Sequence, residues 1–309
     1  MDRVELEDVR RITRGMSRYE HPVFSPDGDR IAFYGGTYGY LQIFVAGSDG
    51  TEERPLTCGR GNHTQPAWSP DGRWIYYRRQ ESPEAPWQVW RVDVADPAQA
   101  EKLLAHRRFS FKHPSPSPDG RWLAWFSDEG SPGNFHLFKA RLEGGRPGSR
   151  RQLTGDPDRN DCHPTWSPDG KTLSFHAYMG RSEATASHIY LCDSGGGAVR
   201  PLTTSSAMHK HPFFVGADLI VHHTEEEDGR RYLSLRRARD GELVGRLTDG
   251  KKNDKHPSPW VPPRGPARIC FSSKKRGAER DSEESSYDVF WGLLRGVRVR
   301  RAPARRRRG

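Results

Sequence analysis

Short apolar runs recur along the chain, each set off by a tight polar turn. Arg30-Ile31-Ala32-Phe33, Trp74-Ile75-Tyr76-Tyr77, Trp122-Leu123-Ala124-Trp125 and Thr172-Leu173-Ser174-Phe175 are β-branched and aromatic runs, the composition of short strands. Each follows Ser-Pro-Asp-Gly, beginning at Ser25, Ser69, Ser117 and Ser167. Pro presets the first central position of a type I turn, Asp suits the second, and Gly supplies the left-handed residue of a hairpin with a bulge. A third strand is predicted in each unit at Gln42–Val45, Gln88–Arg91, His136–Phe138, His188–Leu191, Tyr232–Leu235 and Tyr287–Phe290. A fourth ends in Leu-Thr or a similar pair, at Leu56, Leu103, Leu153, Leu202 and Leu247.

One dipeptide sets the period. His-Pro opens the units at His21, His113, His163, His211 and His256, with Gln65-Pro66 in the remaining slot, at steps of 44, 48, 50, 48 and 45 residues. A period of that size with four short strands predicts an all-β, six-bladed β-propeller of four-stranded antiparallel blades. Six units share only five trailing Leu-Thr ends, and the sixth stands at the front as Arg11-Ile12-Thr13. The distance from each pair to the next slot is 8 or 9 residues. The ring is therefore expected to close through an N-terminal strand, residues 8–13 completing the last blade, which removes exposed sheet edges. Closure by Val297–Arg300 lacks that spacing.

The domain expectation is one propeller over 1–294 and a basic, disordered tail over 295–309. Net charge is +10, but eight arginines fall in the last 15 residues, leaving +2 on the body. Nucleic acid is thus a partner only through that tail. No stretch approaches the ~20 apolar residues that span a bilayer, and the start, Met1–Glu7, lacks the apolar core of a secretory signal. A cytoplasmic monomer is expected. Cys58, Cys162, Cys192 and Cys270 follow no metal-binding spacing and are expected to be free thiols.

In a propeller the first strand of each blade lines the central channel. His21, Gln65, His113, His163, His211 and His256 should then ring one mouth as ligand-binding residues. Neutral imidazoles converging there suit one divalent metal (Mn, Zn, Fe or Ni), with His63, Asp161, His209 and Asp254 within two residues of a slot. The competing reading is structural: a copied motif whose histidines hydrogen-bond neighbouring backbone. No Gly-x-Ser-x-Gly elbow, His-Glu-x-x-His or P-loop pattern is present.

The Pro-x-Trp-Ser-Pro-Asp-Gly pattern resembles the TolB-like propeller repeats (the PD40 or WD40-like family), from about residue 10 to 294. That resemblance implies a non-catalytic module binding a protein or a small acidic or saccharide ligand. The His-Pro openings are also similar to oligogalacturonate lyases, which use a seven-bladed propeller where six units stand here. This looser resemblance implies a metal on His163, His211, His256 and Gln65, His176 as a base and Arg181 as a charge-neutralising group. It implies, as the alternative function, a metal-dependent enzyme acting on acidic saccharides.

Overall fold

The computed structural model describes residues 3–13, 18–36, 39–180, 186–275 and 287–301. These form six four-stranded antiparallel sheets. Five are consecutive in sequence, and the sixth joins the N-terminal strand Glu5–Arg11 to Asp288–Arg295, Arg268–Lys275 and Lys252–Trp260.

Both faces of each blade are covered by a neighbour, so the second strands read as nearly continuous apolar runs rather than alternating ones. Trp122–Ser127 is buried at every position but its first. Six apolar clusters result, one in each gap between adjacent blades. Ala32, Ile43 and Val45 of blade one meet Ile75 and Tyr77 of blade two. Cys270, Val289 and Trp291 of blade six meet Phe24, Ile31 and Phe33 of blade one.

The repeat motif has a separate cause at each position. In the turns, Ser117 Oγ donates to Asp119 Oδ1 at 2.6 Å and accepts the Trp122 N–H at 3.0 Å, while Gly120 N donates to Ser117 O at 2.9 Å. The Trp of the motif ties a blade to its predecessor: Trp68 Nε1 donates to Val23 O, and Trp166 Nε1 to Ser115 O. The Leu-Thr pair is a stitch to the third strand. Leu202 N donates to Ile189 O at 2.7 Å, and Thr203 Oγ1 accepts the Ile189 N–H at 2.9 Å.

Closure repeats that stitch. Ile12 N donates to Val289 O at 2.8 Å, and Thr13 Oγ1 accepts the Val289 N–H at 3.0 Å. The N-terminal strand does complete the last blade, but over Glu5–Arg11 rather than 8–13, with Ile12-Thr13 just beyond it. The C-terminal boundary also differs. Val297 and Val299 pack on the cluster between blades five and six, and Arg300 O accepts the Ala217 N–H at 2.7 Å. Residues 297–301 are thus part of the fold and not of a tail, and 302–309 lie outside the described residues. This contact accounts for the missing Ser-Pro-Asp-Gly turn in blade five. At Gly216 (φ +67°) an added Cβ would stand 2.2 Å from Arg300 O.

All four cysteines are unbridged. No helix of the described residues is long and apolar enough to cross a membrane.

Candidate functional site

Each inner strand carries a β-bulge at the slot dipeptide. The pairing of Arg18–Phe24 with its neighbour breaks between Glu20 and Val23, and that of Arg159–Trp166 between Cys162 and Thr165. The same break falls at the other four slots. His21, Gln65, His113, His163, His211 and His256 all have positive φ, between 48° and 57°. Left-handed backbone costs an L-residue roughly 1–2 kcal/mol, and proline disfavours compact backbone in the residue before it. Six such residues at equivalent positions are a repeated local strain within one ring, of the kind held at functional sites.

The bulge turns every slot side chain into the channel. The rings of His163 and His211 are 4.3 Å apart, His211 and His256 4.5 Å, His113 and His163 4.6 Å, and His21 stacks on His256 at 3.6 Å. Gln65 Nε2 lies 2.7 Å from His163 Nε2. The six slot residues therefore converge as expected, but as a plug rather than an open rim: Gln65, His113, His163, His211 and His256 are each 4–9% exposed, and only His21 is partly open. Beyond them, Val23, Ala67, Ser115, Thr165, Phe213 and Ser258 line a separate cavity of about 660 Å³ at the hairpin end of the channel.

Burial sets the protonation state. It pushes His21, His163, His176, His211, His223 and His256 well below the ordinary imidazole value, and His113 down to about 3, with mutual repulsion among the histidines and with nearby Arg and Lys adding to the effect. At neutral pH the ring is a set of uncharged nitrogen donors, the form that binds metal.

A nitrogen each from His21, His163 and His211 all lie within 4.8 Å of one another. Nδ1 of His113, His163, His211 and His256 is buried without a hydrogen-bond partner, as is Gln65 Oε1. Unsatisfied buried groups in such a cluster call for an ion or water, so these residues fit a divalent metal. With its amide turned over, Gln65 would present Oε1 at the position now taken by Nε2, 2.7 Å from His163 Nε2. Of the tetrad implied by the lyase resemblance, His163, His211 and Gln65 meet here beside His21, while His256 groups with His21 and Glu20 in a second set of ligand atoms within 4.8 Å of one another. His256 Nδ1 instead faces Glu20 Oε2 at 3.7 Å.

Glu20 was not singled out by the sequence motif. It is 2% exposed, accepts from Tyr34 OH at 3.0 Å, pairs with Lys255 Nζ at 3.1 Å and also binds Arg18. Burial works to raise its pKa, but Lys255 and Arg18 outweigh it and hold the carboxyl below its usual value. His176 lies 4.8 Å from His163 and 5.2 Å from His211, ring to ring, while Arg181 is outside the described residues.

The four extra candidates, two residues before their slots, turn away into the blade packing. His63 packs on Tyr77, Asp161 pairs with Arg159, His209 bonds Ser205 Oγ, and Asp254 is buried near the start of its strand. Burial pulls His63 down to about 4, His209 to about 2 and, beside it, His222 to about 3. Their unfolded values lie near 6.5, so below that pH the unfolded chain binds more protons and stability falls as pH drops. Tm is expected to be level above pH ~7 and to fall steadily from about pH 6.5 to 4. A level Tm between pH 7 and 5 in a thermal-melt series contradicts this.

Residues 6–154 match the family model described as PD40, TolB beta propeller domain, and the repeat continues beyond them through the remaining blades. An uncharacterized protein of Agrobacterium fabrum is 29% identical over 175 residues, which are 55% of this chain and 58% of that protein. The chain thus spans little more than half the length of that curated relative. Among solved structures, TolB from Acinetobacter baumannii superposes with a TM-score of 0.59 at 18% identity, over 90% of this chain and 65% of that one. An oligogalacturonate lyase in complex with manganese gives 0.58 at 14% identity, over 96% of each chain. One from Vibrio parahaemolyticus gives 0.57 at 14%, over 94% and 97%. At these identities the likeness is one of fold, and one propeller architecture serves unrelated tasks.

Proposed function

We propose that this TolB-like propeller is a binding module whose histidine ring holds one divalent metal and, through it, a small acidic ligand such as a carboxylate-bearing saccharide. The observation that carries the reading is the convergence of His21, His163 and His211 nitrogens within 4.8 Å. Supporting it, the imidazoles are uncharged at neutral pH and several of their Nδ1 atoms lack partners. Three nitrogens with the Gln65 oxygen form a donor set suited to Mn²⁺, Zn²⁺, Fe²⁺ or Ni²⁺. A bound metal supplies a positive centre for a ligand carboxylate or hydroxyl. The chain's own residues do the rest: the bulges fix where each imidazole points, and Glu20 with Lys255 fixes the blade-six side of the ring.

The test is calorimetric titration of D-glucuronate into the chain loaded with Mn²⁺ and into the same chain stripped with EDTA. Binding is expected only in the loaded form. Equal binding in both contradicts the proposal.

The second reading is metal-dependent elimination on an acidic saccharide. One observation favours it: His176, uncharged and buried, stands against two of the ring histidines, where a general base would be needed. Appearance of unsaturated-product absorbance with acidic oligosaccharides, lost in His176→Gln with metal retained, distinguishes enzyme from module.

A further inference from the structure

Blades four and six repeat one arrangement, with one difference. In blade four, Arg159 and Asp161 stand four and two residues before His163, beside the cross-strand pair Phe175 and Tyr190, whose rings are 5.6 Å apart. The Arg159 guanidinium fills this frame. Its Nε donates to Asp161 Oδ1 at 2.6 Å, and Cζ stands 4.9 Å from the Tyr190 ring centre and 5.9 Å from that of Phe175.

In blade six the frame recurs without its guanidinium. Lys252 and Asp254 stand four and two residues before His256, and Phe271 pairs with Phe290 at a ring separation of 5.9 Å. Lys252 is exposed, and its Nζ rests 5.2 Å from the Phe290 ring centre without an ion pair to Asp254. Asp254 is 4% exposed, and its Oδ1 has no hydrogen-bond partner. Burial pushes the carboxyl's pKa up, and the nearby Ser273 and Thr248 hydroxyls and Lys252 only partly offset it.

A cavity of about 540 Å³ opens at this place between blades five and six, with Tyr232, Thr248, Asp254, Phe271, Ser273 and Phe290 among its walls. At its rim, Arg3, Arg230, Arg246 and Lys251 each pair with a nearby carboxylate, so they raise little barrier to a further cation. A buried carboxylate without a counter-charge is costly. Aromatic faces hold a guanidinium within about 6 Å of their centres, and its planar fork matches a carboxylate.

We infer that this pocket binds a small guanidinium-bearing molecule, with the fork on Asp254 and the plane against Phe271 and Phe290. Arg159 in blade four is the chain's own copy of the bound group. The site is separate from the histidine ring and stands whether or not that ring holds metal.

The test is calorimetric titration of agmatine, and of butylurea as its uncharged analogue, into the full chain as wild type, Asp254→Asn and Lys252→Arg. Wild type should bind agmatine and not butylurea. Loss of the charged hydrogen-bonding partner should weaken agmatine binding about 10- to 100-fold in Asp254→Asn, an isosteric change that leaves the packing intact. Lys252→Arg places a guanidinium where blade four has one, so it should compete with agmatine for the pocket, abolish its binding and raise Tm. That gain guards against reading a folding defect as a lost site. Acetyl-arginine methylamide, titrated in parallel, distinguishes the sources: binding tighter than that of agmatine assigns the group to a partner's arginine side chain rather than to a free guanidine and overturns the small-molecule reading. A wild type that binds no agmatine, or binds butylurea equally, overturns the inference, as does undiminished agmatine binding in Asp254→Asn or Lys252→Arg.

Discussion

A chain carrying both His163→Gly and His211→Gly is expected to lose divalent-metal binding altogether, by at least ~1,000-fold in affinity, while keeping the propeller fold. The two residues supply two of the three convergent nitrogens, and His21 is then left grouped only with His256 and a Glu20 carboxylate already paired to Lys255 and Arg18. Glycine is the informative replacement because both positions have positive φ, +57° and +55°. Glycine takes that backbone without penalty, so removal of the rings leaves the bulges relaxed rather than strained. The six inter-blade clusters and the hairpin turns are untouched. The corresponding alanine pair should lose metal equally but melt lower than the glycine pair, since alanine retains the left-handed cost. Metal content and thermal melts of the two variants check this. Metal retention by the glycine pair contradicts the site.

Deleting residues 1–13 is expected to be the most damaging change to stability. The strand Glu5–Arg11 completes blade six, Val4 and Leu6 pack against its apolar cluster, and Ile12 is buried in the gap with blade one. At roughly 1.5–3 kcal/mol for each fully buried apolar side chain, and less for the two partly buried ones, the loss is about 4–6 kcal/mol. At about 2 °C per kcal/mol for a chain of this size, Tm should drop by about 10 °C. The deletion also bares Asp288–Arg295, an apolar edge strand that pairs readily with other chains. Thermal melts and light scattering should show a lower Tm and association. An unchanged Tm in a monodisperse sample contradicts closure by this strand.

Much of the fold was legible because each repeat position has one local physical task. Ser-Pro-Asp-Gly makes a turn wherever it occurs, and Leu-Thr makes the same stitch at Ile12-Thr13 as at Leu202-Thr203. The strand bounds at the N-terminus were less legible, because Glu5–Arg11 carries few apolar residues and is held by its neighbour's backbone. Blade five's missing turn was visible as Val215–Asp218, but its reason was not. The covering segment, residues 297–301, comes from about 80 residues further along the chain.

The slot residues themselves could be placed from their period alone. Their backbone could not, since a residue before proline is ordinarily extended and only the repeated bulge reveals positive φ. The second-strand residues paired with the residue before each slot had a signal: Tyr34, Arg78, Phe126 and His176 each stand 13 residues after their slot. Glu20 and Lys255 had none, because their pairing joins blade one to blade six and depends on closure of the ring. The resemblance places His256 with the metal ligands, and it does share His21 with them, but in a separate group with Glu20, whose carboxylate the sequence motif gave no reason to include.

The most direct measurement is the metal content of the purified wild-type chain after loading with Mn²⁺ and gel filtration, read beside its thermal melt. About one Mn²⁺ per chain and a Tm that rises with added metal are expected. A chain that emerges without metal, and whose Tm does not move with Mn²⁺, Zn²⁺ or Ni²⁺, contradicts the histidine ring as a metal site.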